Sequence, residues 1–258
     1  MFEYRHALRQ ALAGLNADRG RVLLGRYASA DTRRCDVENL LLYNVGVSAF
    51  AHLRPQQVVL VRSLTTPPPP EGDRDVLVHH HRYDLVGSEP PAPAGDVLVR
   101  FGPVPLRRPL AVEKVWYDVR SSGRLAVKSA SRGDQLALDL TVHRPAGAAA
   151  PSMLGMVKVL VDGVVSALHT HDGTQLEVLA DRLSQRLCVP GDQLADLLTD
   201  SPVAVLDRRR LLWPFQSFVQ WNPADDAIVD LRVTAVTSTT WQLSGALAAV
   251  QGTAYPSP

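Results

Sequence analysis

The sequence predicts an α+β fold: a mostly antiparallel sheet in the middle of the chain, packed by helices from both flanks. Two observations carry this. Residues 135–142 alternate apolar and polar positions, as a strand with one buried face does. Residues 3–16 and 36–53 before that run, and 153–198 after it, space their apolar residues at helical intervals. The 258 residues are 46% hydrophobic and 21% charged, enough apolar material to cover such a sheet and unlike a disordered or fibrous chain.

The elements follow in order. Residues 3–16 read as an amphipathic helix ended near Asn16. Asp36 to Leu53 reads as a second, with Leu40, Leu41, Val45, Val47 and Phe50 at roughly helical spacing and Pro55 stopping it. Val58 to Val61 is a buried type of strand. Thr65–Gly72 and Ser88–Gly95 are proline-rich and lack ladder donors, so Pro67–Pro70 and Pro90–Pro93 are expected in surface loops. Strands are expected at Val76–Val86, Asp96–Phe101, Leu110–Val119, Leu125–Lys128 and Gln135–His143, with Ser121-Ser122-Gly123 as a hairpin turn. Ser152 can cap a helix Met153–Leu168. Helices Gln175–Leu187 and Pro190–Leu198 follow, the last with its proline near the first turn. Strands near Leu211–Trp213, Phe218–Trp221, Ile228–Val236 and Trp241–Val250 close the chain. Two domain divisions fit: an N-terminal helical segment plus strand over 1–64 with a main α+β domain over 75–258, or a single domain over 1–258.

Charge and composition narrow the function classes. The 27 Lys+Arg nearly balance 26 Asp+Glu, so global charge argues for neither nucleic acid nor anionic lipid. Locally the balance shifts: nine basic residues stand against four acidic ones between Arg100 and Arg144. Arg100, Arg107, Arg108, Lys114, Arg120, Arg124 and Lys128 are therefore candidate nucleic-acid contacts, with a solvated sheet face as the plain alternative. Two cysteines, Cys35 and Cys188, exclude a Cys-rich zinc module and are expected to be inert, partly buried thiols. Nothing approaches the roughly eighteen consecutive apolar residues of a membrane helix. The first residues lack a leader pattern, and a cytoplasmic location with reduced thiols is expected. No Walker loop, Rossmann glycine run or nucleophile elbow is present.

The acids carry the chemistry. Asp225 and Asp226 lie between the turn signal Asn222-Pro223 and the strand beginning at Ile228. Adjacent carboxylates repel unless a proton or cation sits between them, which makes the pair candidate Mg²⁺ ligands; a solvated turn is the alternative. Asp162 interrupts an apolar helical run four residues after Lys158, so a local ion pair is available to it.

Together these two windows resemble the RusA-type Holliday junction resolvases. That family carries a Lys-Pro-Asp-x-Asp-Asn run entering a helix and a later Asp-Asp pair opening a strand. Lys158 to Gly163 lies on the run without gaps: Lys158 and Asp162 match, and Leu160 stands where the family has its first carboxylate. Ser166 stands at the family's helix lysine. Trp221 to Leu231 looks like the Asp-Asp pair and its strand, and the resemblance spans residues 96–236. It implies a metal-dependent nuclease or a nuclease-derived nucleic-acid binder. Its catalytic residues would be Lys158, Asp162, Asp225 and Asp226, its metal ligands Asp162, Asp225 and Asp226, and its cofactor Mg²⁺. The implied partners are DNA or RNA and a second copy of the chain. Asp36-Val37-Glu38-Asn39 keeps the acid-x-acid-Asn pattern better. The helix dipole alone favours such acids, but they can also complete a composite site with Asp162 and Asp225–Asp226.

Two histidine clusters offer another chemistry. His79 and His81 share one strand face, and His169 and His171 precede Asp172, a set that can bind zinc or iron. Trp213, Phe215, Phe218 and Trp221 either cap a core or stack bases. The competing functions are a non-catalytic assembly protein and a small-molecule enzyme built on the histidines.

Overall fold

The computed structural model describes residues 2–15, 22–29, 35–63, 79–122, 126–127, 135–147, 152–200, 205–223 and 225–250. The chain opens with helix α1 (Phe2–Ala13), then strands β1 (Val22–Ala28), β2 (Gln57–Ser63), β3 (His80–Val86) and β4 (Gly95–Pro105). Helix α2 (Val112–Ser121), β5 (Ala126–Val127) and β6 (Gln135–Pro145) follow. Next come α3 (Met153–Ala167), β7 (Thr170–His171), α4 (Leu176–Leu187) and α5 (Gly191–Thr199). The chain ends with β8 (Arg208–Arg209), β9 (Leu212–Phe215), β10 (Phe218–Trp221), β11 (Ile228–Ser238) and β12 (Gln242–Val250).

Eight strands form one sheet in the order β3-β1-β2-β11-β6-β12-β4-β5. Pairing is antiparallel except between β1 and β2 and between β11 and β6. The α+β class therefore holds. The alternation of β6 does what its sequence says: Leu136, Leu138, Leu140 and Val142 are buried, while Asp139 is exposed. These residues meet Val58, Leu60, Leu231, Val233 and Leu247 in one core. Strand β1 is an addition to the expected elements: Leu23 and Leu24 are both buried, so no polar alternation marks it.

Helix α3 covers that core. It is apolar nearly all round, as a helix enclosed by other elements must be, and Ser152 Oγ accepts from Gly155 N at 3.1 Å to cap it. Gly163 lets α2 approach: an added Cβ would lie 2.5 Å from Val115 Cβ and 3.1 Å from the Val112 carbonyl. Gly163→Ala is expected to destabilise the protein by about 1–3 kcal/mol, because overpacking outweighs the helix propensity that alanine adds. Thermal denaturation reads this directly, and a raised midpoint contradicts it.

Three expectations need correction. Leu110–Val119 is not a strand; it is largely α2. Val112, Val115, Trp116 and Val119 recur at helical spacing, and that period overrides the β-propensity of valine, tryptophan and tyrosine. Ser121 and Ser122 accordingly end a helix rather than turn a hairpin. Asp36–Leu53 is not one helix: a π-helical turn at Asn39–Tyr43 and a 3₁₀ turn at Val47–Phe50 are separated by Gly46 at φ 100°. Arg9 fixes that break by donating to the Val45 carbonyl at 2.8 Å.

The Pro90–Pro93 segment runs outside any strand, as expected, and is clamped by Arg232. Pro67–Pro70 lies outside the described residues. No helix among the described residues is long and apolar enough to cross a membrane.

Candidate metal centre

Three separate stretches bring acids to one point. The turn after Asp36 carries Glu38, α3 carries Lys158 and Asp162 on adjacent turns, and a 3₁₀ turn at Asp225–Ala227 leads into β11. One oxygen each from Asp36, Glu38 and Asp225 lies within 4.8 Å of the others, and this is the one such ligand trio among the described residues. Glu38 is 0% and Asp225 4% exposed, so neither charge is relieved by bulk water. The Lys158 ammonium bridges Glu38 Oε1 and Asp162 Oδ1, each at 3.2 Å. Tyr43 braces this turn of α3: its hydroxyl accepts from Lys158 N at 3.0 Å and donates to the Leu154 carbonyl at 3.3 Å. Asn39 donates to Asp36, which orients that carboxylate.

The second oxygen of Glu38, Oε2, is buried without a hydrogen-bond partner. An orphaned buried acceptor inside an acid cluster is costly, and either a proton or a cation can satisfy it. All of the candidate ligands are carboxylate oxygens, a donor set that suits Mg²⁺ or Mn²⁺. A cleft of about 420 Å³ opens over them. Asp36, Lys158, Asp162, Asp225 and Asp226 line it together with Arg209, Trp221, Asn222 and Pro223.

The acids expected from sequence do meet here, but with different roles. Asp162 is in the body of α3 rather than at a helix start, and it is ion-paired to Lys158. Asp226 lines the cleft but is outside the close trio. Asp36 and Glu38, from the acid-x-acid-Asn stretch, are the acids that stand with Asp225 in the close trio.

Electrostatics follow from burial. Burial, aided by Glu38 and Asp36, pushes the Asp225 carboxyl up to about 9. Burial raises Glu38 to about 7 despite the opposing Lys158 charge. Burial raises Asp162 as well, against the pull of Lys158. Desolvation alone would lower the Lys158 ammonium, but Asp162, Glu38 and Asp225 outweigh it and hold that pKa above the usual lysine value. Cation-free protein should therefore lose stability as pH rises. Glu38 and Asp225 bind protons more tightly folded than unfolded, where carboxylates titrate near about 4. Their contribution is complete below that value and is lost as pH rises through about 7 and about 9. His81, pushed down to about 4 by burial, has the opposite sign, and its contribution is complete above its unfolded value of about 6.5. Melting in EDTA between about pH 7 and 9 isolates the acids, and a flat or rising midpoint there contradicts the assignment.

No protein-family model matches the chain, and neither the curated proteins nor the solved structures yield a similar relative. The resemblance to RusA-type resolvases thus rests on the motif residues alone.

The other candidates are placed differently. His171 is fully buried with both ring nitrogens engaged: Nδ1 accepts from Leu211 N at 3.1 Å and Nε2 faces the Thr174 carbonyl at 2.9 Å. His169 Nδ1 meets Asp207 Oδ1 at 2.6 Å. Both histidines anchor the strand that carries Arg209, one wall of the cleft. His79 bonds Tyr27 at 2.6 Å, and His81 packs among Tyr4, Tyr27 and Tyr83. Among the described residues no histidine joins a potential metal trio.

The expected basic contacts are largely committed within the fold. Arg120 is buried and donates to the carbonyls of Ala167, Leu197 and Asp200, so it cannot reach a polyanion. Arg107 pairs with Asp118 at 3.1 Å over the Tyr117 ring, and Arg108 lies over Trp241. Lys114 donates to the Arg108 carbonyl, and Arg100 lines a shallow pocket beside Asp139. Arg124 and Lys128 lie outside the described residues. Cys35 and Cys188 are exposed free thiols rather than partly buried ones.

Proposed function

We propose that this protein is a divalent-cation-dependent phosphodiester hydrolase, a RusA-like nuclease acting on nucleic acid. The observation that carries the reading is the Asp36–Glu38–Asp225 trio with its orphaned Glu38 Oε2. Asp36, Glu38 and Asp225 would hold the cation, which supplies Lewis acidity toward a phosphoryl oxygen and acidifies a bound water. The chain's own groups do the rest. Lys158 keeps Glu38 and Asp162 in place and presents a positive charge on the cleft wall. Asp162, its pKa raised by burial, is suited to accept a proton from the attacking water. Arg209, which lines the same cleft, is suited to pair with a phosphate oxygen. Hydrolysis joins the water oxygen to phosphorus, breaks one P–O ester bond and returns a proton to the leaving alkoxide.

The test is a cleavage assay on labelled single-stranded, duplex and branched DNA and RNA with Mg²⁺, Mn²⁺ or EDTA. Cleavage of at least one substrate with Mg²⁺ or Mn²⁺, abolished by EDTA, is the expected result. Absence of cleavage together with absence of Mn²⁺-induced thermal stabilisation overturns the reading.

A further inference from the structure

We infer that an unpaired nucleic-acid strand leaves the acid cleft across Arg208–Arg210 and stacks its bases on the β9–β10 hairpin. The inference rests on the nuclease reading and adds to it the strand path and the single-stranded character of the substrate there. The acid cleft is not isolated. Asn222 lines it and also lines a second open concavity of about 590 Å³, bounded by Gln175, Arg210, Trp213 and Pro214. The two hollows therefore meet at Asn222.

Charge and aromatic surface coincide along that path. Arg209 lines the acid cleft and Arg210 the second hollow, and Arg208 precedes them in the chain. Arg208 donates to the Asp172 carbonyl and Arg210 to Gln175 Oε1, each at 2.9 Å. Both acceptors are uncharged, so these bonds orient the guanidiniums, and Arg210 also feels the nearby Asp172 carboxylate, whose pKa it helps to lower. Asp207, which borders the run, is turned onto His169. Beyond the arginines stands the hairpin. Phe215 and Phe218 are 43% and 38% exposed with ring centroids 5.2 Å apart, among the few large apolar side chains left open to solvent among the described residues. The Trp213 indole is fixed by donation to Gln220 Oε1 at 3.0 Å, and Arg182 of α4 holds the hairpin through the Phe218 carbonyl at 2.7 Å.

A row of cations leading to fixed aromatic rings matches the chemistry of a single strand. Phosphates take the cations, and each base offers a π-face. A duplex does not fit as well, because its bases are already stacked between neighbours.

The probe is a fluorescein-labelled oligothymidylate of about 20 nucleotides, compared with a blunt duplex of the same length, by anisotropy in EDTA. The wild-type chain is expected to prefer the single strand. Trp213→Ala is expected to weaken its binding about ten-fold while leaving duplex binding unchanged. Arg210→Ala should flatten the log K against log salt slope for the single strand by about 0.7. Circular dichroism confirms folding, and Mn²⁺ stabilisation of the same variants reports the acid cleft separately, so a failure of the strand path is distinguishable from a failure of the metal reading. Unchanged single-strand binding in both variants overturns the inference. So does a wild-type preference for duplex, or a dimer that Trp213→Ala converts to monomer, which would assign the hairpin to a second copy of the chain.

Discussion

Replacing Asp225 by asparagine should abolish cation-dependent cleavage and, without cation, make the protein more stable. The two effects have opposite signs and one cause. Asp225 is 4% exposed and faces Glu38 and Asp36, so its charge is unfavourable until a cation sits among the three. Asparagine keeps the shape and removes the charge. In EDTA near pH 9, Asp225→Asn should melt above the wild type, and its midpoint should fall less steeply with pH. With Mn²⁺ in excess the order should reverse. A ligand at about 100 times its Kd stabilises by about 2.7 kcal/mol, or roughly 5–10 °C for a chain of this size. The variant should lose most of that shift and at least about a hundred-fold in cleavage rate. Glu38→Gln should lose both in the same way, since its Oε2 is the acceptor left without a partner. Retention of the full Mn²⁺ shift by both variants would remove the metal centre from the account.

The route from sequence to this site shows what a linear pattern can and cannot convey. Period-two alternation found β6, and the serine cap found α3, because both signals are local. The acid-x-acid-Asn spelling at Asp36–Asn39 was legible for the same reason, as was the Asp-Asp pair before β11. The partnership between them was not. It depends on β2 and β6 both pairing with β11, which brings residues from distant parts of the chain to one end of the sheet. Arg209 was invisible for a similar reason: it reaches the cleft through the short β7–β8 pairing and the buried histidines that anchor it. The basic stretch misled in the opposite direction. Composition counts charges but not their partners, and Arg120 is spent on three backbone carbonyls in the interior. In α2 the residue types spoke for a strand and their spacing for a helix, and the spacing was the better guide.

Arg232→Met should be the most destabilising single change in the sheet. Arg232 is 2% exposed on β11, and its guanidinium engages both oxygens of Asp230, at 2.7 and 3.2 Å. It also donates to Glu89 Oε1 at 2.6 Å and to the carbonyls of Pro90 and Pro91 at 2.8 and 2.9 Å. One side chain thus satisfies a fully buried carboxylate and ties the proline-rich segment to the sheet. Proline carbonyls at Pro90 and Pro91 have no strand partner, so the arginine does for that segment what a ladder does elsewhere. Methionine fills a similar volume but leaves Asp230 without this cation and strands the two carbonyls. Breaking one side of a buried pair costs about 3–5 kcal/mol, far more than the pair is worth against an apolar replacement of both members. A fall in Tm of about 10 °C is expected from that loss in a chain of this length. The double variant Arg232→Met/Asp230→Leu should recover a substantial part of it, since the uncompensated charge is then gone. Additive losses in the double variant would show that the network acts through packing rather than charge. Because Arg232 stands in β11, which begins directly after Asp225–Ala227, the same variant should also lower Mn²⁺ affinity by loosening the strand that positions Asp225. Mn²⁺ titration at a temperature where the variant remains folded reads that effect separately from global stability.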